Sequence, residues 1–166
     1  MDGFQGRVHS LSKPAAEGGR MNHVLIIDDE ADFGFFVKKN LELNERYAVA
    51  IATDGWTGLK MARETQPDVI LLDIMMPQMD GIEVLKQLRN QNISPKSAVI
   101  MLTARKDPES ITSAIGLSSA MYVVKPIEMD ILERKIDSLM KNREIENSIH
   151  TEFAGCLSAQ PSVLDS

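Results

Sequence analysis

The sequence predicts an α/β fold, a doubly wound parallel sheet of five strands with helices on both faces. Short apolar runs recur at Val24 to Ile27, Val69 to Leu72, Ala98 to Leu102 and Met121 to Val124. They are continuous rather than alternating, which suits strands buried on both faces. Stretches with helical periodicity stand between them, and strict strand–helix alternation makes a parallel sheet. Several of the runs also end in a polar residue, at the sheet edge where doubly wound proteins keep their sites.

Bulk composition narrows the class. A chain of 166 residues suits one domain and can enclose a full core. Hydrophobic and charged fractions of 43% and 25% are those of an ordinary soluble globule. A formal net charge of −6 argues against broad contact with nucleic-acid phosphates, which needs clustered cations. No apolar run approaches membrane-spanning length, and the N-terminus lacks the apolar stretch of a signal peptide. Cys156 is the only cysteine, so no intrachain disulfide can form and a cytoplasmic setting is expected. His9 and His23 have no partners at metal-ligand spacing.

Residues 1–21 are rich in glycine and proline early on and read as a disordered leader. The first strand, Val24 to Ile27, runs into Asp28-Asp29-Glu30, one of which is expected to cap the next helix. That helix should reach about Leu43. At about 100° per residue it puts Phe33, Phe36, Val37 and Leu41 on one side and Phe35 on the other. Gly34 should weaken it by roughly 1 kcal/mol relative to Ala. Tyr47 to Ala52 is the second strand, and Thr53-Asp54-Gly55 turns into a helix that ends before Pro67.

The third strand, Val69 to Asp73, leads through a proline loop to Asp80 and Glu83, a pair resembling a capping box. Ile82, Leu85 and Leu88 should form the inner stripe of the helix that follows, with Val84 beside it. Gln91 to Pro95 is a loop, and the fourth strand ends at Thr103. Asp107-Pro108 should start a short helix that ends near Gly116. Met121 to Val124 is the last strand and ends in Lys125-Pro126. The last helix begins near Glu128 and faces inward with Leu132, Ile136, Leu139 and Met140, while Ile127 and Ile131 staple its start. A single domain over 22–142 is expected. Residues 143–166 form a polar tail, with Ile145 and Ile149 carrying the helix a little further.

The chemistry lies in what the strand ends present. Asp28, Asp29, Asp73, Thr103 and Lys125 are far apart in sequence, but side chains at the rim of a parallel sheet converge. Three carboxylates in one pocket need a cation, or some must take up protons. Magnesium suits them, being a hard ion that favours oxygen ligands and accepts phosphate oxygens beside them. Lys125 adds a mobile positive charge and Thr103 a hydroxyl donor. The set describes a phosphoryl pocket with Asp73 as nucleophile, since a carboxylate can form an acyl phosphate. No glycine-rich phosphate loop or Walker lysine is present.

Asp28-Asp29, the run Leu71-Leu72-Asp73-Ile74-Met75-Met76-Pro77-Gln78-Met79-Asp80-Gly81, Thr103-Ala104 and Tyr122-Val123-Val124-Lys125-Pro126 resemble the receiver domain of two-component response regulators, in its single-domain, chemotaxis-regulator-like form. The resemblance covers about residues 22 to 142 and implies a flavodoxin-like sheet of order 2-1-3-4-5. It implies Asp73 as phosphoacceptor and Asp29 and Asp73 as magnesium ligands. Asp28 would act partly through water, and the Met75 backbone carbonyl would complete the set. Thr103 matches the switch hydroxyl, Tyr122 the aromatic that moves with it, and Lys125 the phosphate-binding lysine, whose bond to Pro126 is usually cis. Met75 and Arg105 match the places that flank the attacking water and tune the lifetime. The implied partners are a histidine kinase or histidine phosphotransfer protein, a downstream protein target and, in some receivers, a second copy of the chain. No direct nucleic-acid contact or membrane insertion is implied.

The chain departs from the pattern at Ser118-Ser119 and Ala120 before the last strand, and at Gly58, where alanine is common, with Trp56 nearby. These positions bear on output and leave the pocket whole. Three alternatives compete. An aspartyl phosphatase would want a second acid two residues after the nucleophile, where Met75 stands. A pseudo-receiver would bind without taking phosphate. The chain could also be the receiver fragment of a longer regulator.

Overall fold

The computed structural model describes residues 21–104 and 121–157 of the chain. Within them five parallel strands form one sheet in the order β2-β1-β3-β4-β5, as expected. The strands are β1 (Asn22–Ile27), β2 (Tyr47–Ala52), β3 (Val69–Asp73), β4 (Ala98–Thr103) and β5 (Met121–Val124). Four helices are described: α1 (Ala31–Glu42), α2 (Gly55–Thr65), α3 (Gly81–Asn90) and α4 (Met129–Leu157). The helix expected over 107–116 and the departures at 118–120 lie outside the described residues, as do residues 1–20. The last helix runs well past the few extra residues expected of it.

The strand runs are apolar throughout because both faces of the sheet are covered. Their period of two divides the side chains between two layers. Leu25, Ile27, Ile70, Leu72, Val99 and Met101 pack with Leu59 and Ala62 of α2 and Val84, Leu85 and Leu88 of α3. Val24, Ile26, Val69, Leu71, Ile100 and Leu102 pack on the other face with Val37 and Leu41 of α1 and Leu132 and Ile136 of α4. Two hydrogen-bonded contacts lock the outer layer to the sheet edge. Tyr47 donates its hydroxyl to Asp137 at 2.5 Å, and Arg46 pairs with the same carboxylate at 3.4 Å. Burial, together with the hydrogen bond to Asp137 and its charge, pushes the Tyr47 hydroxyl well above its usual range.

Two helix starts, those of α2 and α3, follow their capping chemistry, and that of α1 does not. Asp54 caps α2 by accepting from the Thr57 amide at 2.8 Å and from its hydroxyl at 2.6 Å. Asp80 caps α3 by accepting from the Glu83 amide at 2.8 Å. Glu30 holds the cap position of α1 but makes no capping hydrogen bond with its side chain. Its amide donates to Asp28 at 2.9 Å and its carboxylate turns to Lys125, so the acids serve the sheet rim rather than the helix.

Two expected stripes shift. On α1 the buried residues are Gly34, Val37 and Leu41, while Phe36 is exposed along with Phe35. Phe36 stands about 100° round the helix from Val37 and falls off the edge of the stripe. Gly34 takes its place because β2 passes close by: a Cβ there would sit 3.2 Å from Ile51 Cγ2. On α3 Val84 is fully buried and Ile82 only partly so. Ile131 is exposed and Ile127 packs against the core, so only one half of the expected staple is sheltered.

Candidate functional site

Asp28, Asp73 and Lys125 each stand two residues beyond a side chain of the α1–α4 layer, namely Ile26, Leu71 and Val123. Side-chain alternation therefore sends all three to the same side of the rim. The register draws them together, since β1 and β5 flank β3 and β4. Asp28 and Asp73 are 0% and 4% exposed, while Asp29 lies open to solvent. Carboxylate oxygens of the three lie within 4.8 Å of one another. A cluster so tight of hard oxygen donors could hold a small divalent cation, which would offset the repulsion of like charges at that range.

Lys125 closes the cluster. Its Nζ donates to Asp28 at 2.9 Å and to Glu30 at 3.2 Å, and stands 3.3 Å from Asp73. The Phe33 ring lies beneath it, with the centroid 4.2 Å away. The Lys125 amide donates to the Thr103 carbonyl at 2.7 Å, and the Lys125-Pro126 bond is cis, as the resemblance implied.

Burial moves these groups in opposite directions. Asp73 is raised to about 6 by burial and by the Asp28 charge, partly offset by Lys125, with a further small push from Asp29. Lys125 is lowered by its own burial. The hydrogen bond to Asp28 and the charges of Asp28 and Asp73 outweigh that, so it stays charged above its ordinary range. The result is a carboxylate that releases its proton just below neutrality, next to a fixed cation.

Backbone hydrogen bonds tie down the loop that follows Asp73. Ile74 donates its amide to the Leu102 carbonyl at 3.0 Å, and Gly81 donates back to the Ile74 carbonyl at 3.0 Å. Met75, between them, is 62% exposed at the lip of the pocket. Thr103 ends β4 and is buried, and Tyr122 on β5 is half-exposed. Arg105 lies outside the described residues.

The structure brings Asp28, Asp29, Asp73 and Lys125 together. It adds Glu30 and Phe33, which sequence reasoning assigned to capping and to the helix stripe. A signal existed: both fall within five residues of Asp28, at the first turn of the helix that leaves the rim. The groove between α2 and α3, about 270 Å³ and lined by Trp56, Leu59, Lys60, Arg63 and Ile93 among others, holds none of the rim acids. Gly58, where the resemblance led one to expect alanine, faces that layer. The Ile27 side chain fills the space a Cβ would need, with atoms at 2.6 to 2.9 Å. No helix among the described residues is long and apolar enough to cross a membrane.

Comparison with known proteins agrees with this fold. The family model described as "Response regulator receiver domain" matches residues 24–137. The transcriptional regulatory protein AfsQ1 of Streptomyces coelicolor is 37% identical over 135 residues, which span 78% of this chain and 56% of that protein. The alkaline phosphatase synthesis transcriptional regulatory protein PhoP of Bacillus subtilis is 34% identical over 122 residues, 74% of this chain and 50% of PhoP. The chain thus spans about half the length of these curated relatives. Among solved structures, the receiver domain of Francisella response regulator 1452 superposes with a TM-score of 0.67 at 34% identity, covering 74% of this chain and 98% of that one. Chemotaxis protein CheY4 of Vibrio cholerae gives 0.64 at 30% identity, over 72% and 98%.

Proposed function

This chain belongs to the response regulator receiver family, and from that premise we propose that it takes a phosphoryl group onto Asp73 from a phosphohistidine and then switches a protein-binding surface. The donor is a histidine kinase or a histidine phosphotransfer protein. The observation that supports this best is the convergence of Asp28, Asp73 and Lys125 at one rim, with Lys125 Nζ 2.9 and 3.3 Å from the two carboxylates.

An Asp73 carboxylate oxygen attacks phosphorus, an O–P bond forms and the P–N bond of the phosphohistidine breaks. The imidazole nitrogen recovers the electron pair and then takes a proton from water. Asp73 must be ionised to attack, which its value of about 6 allows at neutral pH. Lys125 moves from carboxylates to a phosphoryl oxygen and neutralises the charge that develops there. Asp28, Asp29 and Asp73, with the Met75 backbone carbonyl, would hold magnesium, which when bound supplies further charge neutralisation. Water can later hydrolyse the acyl phosphate, so any turnover is of the protein's own phosphoryl group.

Acetyl phosphate or phosphoramidate with magnesium should add one phosphoryl mass to the protein. EDTA should remove the gain, and Asp73→Ala should abolish it. Label that persists on that variant would place the phosphoacceptor elsewhere. Thr103 and Tyr122 are the proposed switch pair, biasing a two-state equilibrium through contacts that differ between states. NMR resonances of both should move on adding beryllofluoride, and unmoved resonances would remove them from the switch.

Met75 and Arg105 are proposed to set how long the acyl phosphate lasts. A thioether cannot orient a water as an amide does, and exposed Met75 is free to lie over the phosphoryl group. Met75→Asn should shorten the lifetime roughly three- to tenfold, a change of about 0.7 to 1.4 kcal/mol in the barrier. An unaltered decay rate would show that other groups set it. One observation favours a second reading, the receiver portion of a longer regulator: the relatives are about twice the matched length. The chemistry at Asp73 is the same in both readings.

A further inference from the structure

Two side chains that touch Lys125, Glu30 and Phe33, take no part in the proposed phosphoryl step. Lys125 carries three N–H donors on a flexible four-carbon stem. Those donors meet three carboxylates, at 2.9 Å for Asp28, 3.2 Å for Glu30 and 3.3 Å for Asp73. The Glu30 carboxylate is 67% exposed, so its bond is the weakest held and the first to yield to a phosphoryl oxygen. Once it yields, Asp28 and Asp73 still hold the ammonium from the sheet side, but no hydrogen bond remains on the side that faced Glu30.

The Phe33 ring stands on the remaining side, 4.2 Å from Nζ. That lies well inside the roughly 6 Å range at which a ring face attracts a cation. Phe33 is itself held in place: it sits on the first turn of α1 and packs against the core on the α1–α4 face of the sheet. The Lys125 side chain is only 15% exposed, so the ring also keeps water from the ammonium. A leucine would fill similar space without the negative ring face.

We propose that Phe33 is a positioning residue: its ring face holds the Lys125 ammonium toward Asp73 and keeps it there when Glu30 lets go. This deepens the phosphoacceptor reading and rests on it for its kinetic consequence, although the geometric part stands alone. Phe33 touches Lys125 and not the phosphoryl group, so its effect passes through the lysine.

The test uses the full chain and three variants, Phe33→Leu, Phe33→Tyr and Phe33→Trp. Labelling by phosphoramidate with magnesium is followed, with urea midpoints recorded beside it. Phe33→Leu should label roughly three- to tenfold more slowly, and Tyr and Trp should restore most of the rate because they keep a ring face. A leucine variant as fast as wild type, or a tyrosine variant as slow as leucine, would overturn the proposal. The second readout needs no phosphorylation. In a sample carrying labelled lysine, the ε-methylene of Lys125, assigned with Lys125→Arg, should be shifted upfield by the ring and should move to the ordinary lysine position in Phe33→Leu. An ordinary position in wild type, or no movement in the variant, would overturn it. If wild type takes no label, the phosphoacceptor reading fails and the methylene shift alone decides whether Phe33 holds the lysine.

Discussion

Asp73→Asn should make the metal-free protein more stable at pH 8, by on the order of 1 to 3 kcal/mol in urea unfolding with EDTA present. The wild-type carboxylate is raised to about 6 from an ordinary value of 3.8, chiefly by burial and then by Asp28. A raised carboxylate means the folded state holds a proton that the unfolded chain has released. Its contribution is therefore favourable at low pH and is lost as pH rises from about 4 through 6. The full loss is roughly 3 kcal/mol, from 1.36 kcal/mol per unit. Asparagine never ionises and escapes it. The lower end of the range allows for the weaker attraction between Lys125 and an amide.

The pH dependence separates this account from a general effect of the substitution. The stability gap between variant and wild type should be full at pH 8, about half as large at pH 5 and nearly gone by pH 4. Magnesium should close it from the other side, because the proposed site would bind it through the wild-type carboxylates and would lose a ligand in the variant. At ten times its dissociation constant it should stabilise wild type by about 1.4 kcal/mol. A gap that widens toward low pH, or a variant no more stable at pH 8, would show that the surroundings do not raise Asp73.

The parts of the fold that repeat were legible in the sequence. Continuous apolar runs such as Val69 to Leu72 carry their meaning locally, and alternation assigns their faces. Asp73 and Lys125 were legible for the same reason: a strand end is a local feature, and the topology does the converging. What the sequence concealed depends on neighbours that only the fold supplies. Phe36 is apolar like Val37, and its exposure follows from how α1 is rotated on the sheet, with Gly34, Val37 and Leu41 turned inward. Glu30 looks like a helix cap until Lys125, ninety-five residues away, offers a better partner. Phe33 looks like core, and its ring does pack there, but one face is left for the ammonium.

Gly81→Ala should be the most damaging single methyl addition in the described chain, lowering stability by roughly 3 kcal/mol or more. The loop from Ile74 to Asp80 folds back so that α3 starts against the end of β3. A Cβ on Gly81 would lie 2.1 Å from the Asp73 carbonyl oxygen and 2.9 Å from the Ile74 Cα. Both obstacles are backbone, so no rotamer can relieve the clash. Relief requires moving the start of α3 or the end of β3, and either breaks the hydrogen bond from the Gly81 amide to Ile74. The same movement shifts Asp73 relative to Lys125, so phosphoramidate labelling should slow along with the loss of stability. Gly34→Ala is the matched control. Its Cβ meets only the Ile51 side chain at 3.2 Å, which can give way, and alanine gains roughly 1 kcal/mol in helix propensity. That variant should stay within about 1 kcal/mol of wild type. Urea unfolding of the pair decides the matter: equal, small effects would mean that the strand–helix junction after Asp73 tolerates displacement and does not hold the carboxylate in place.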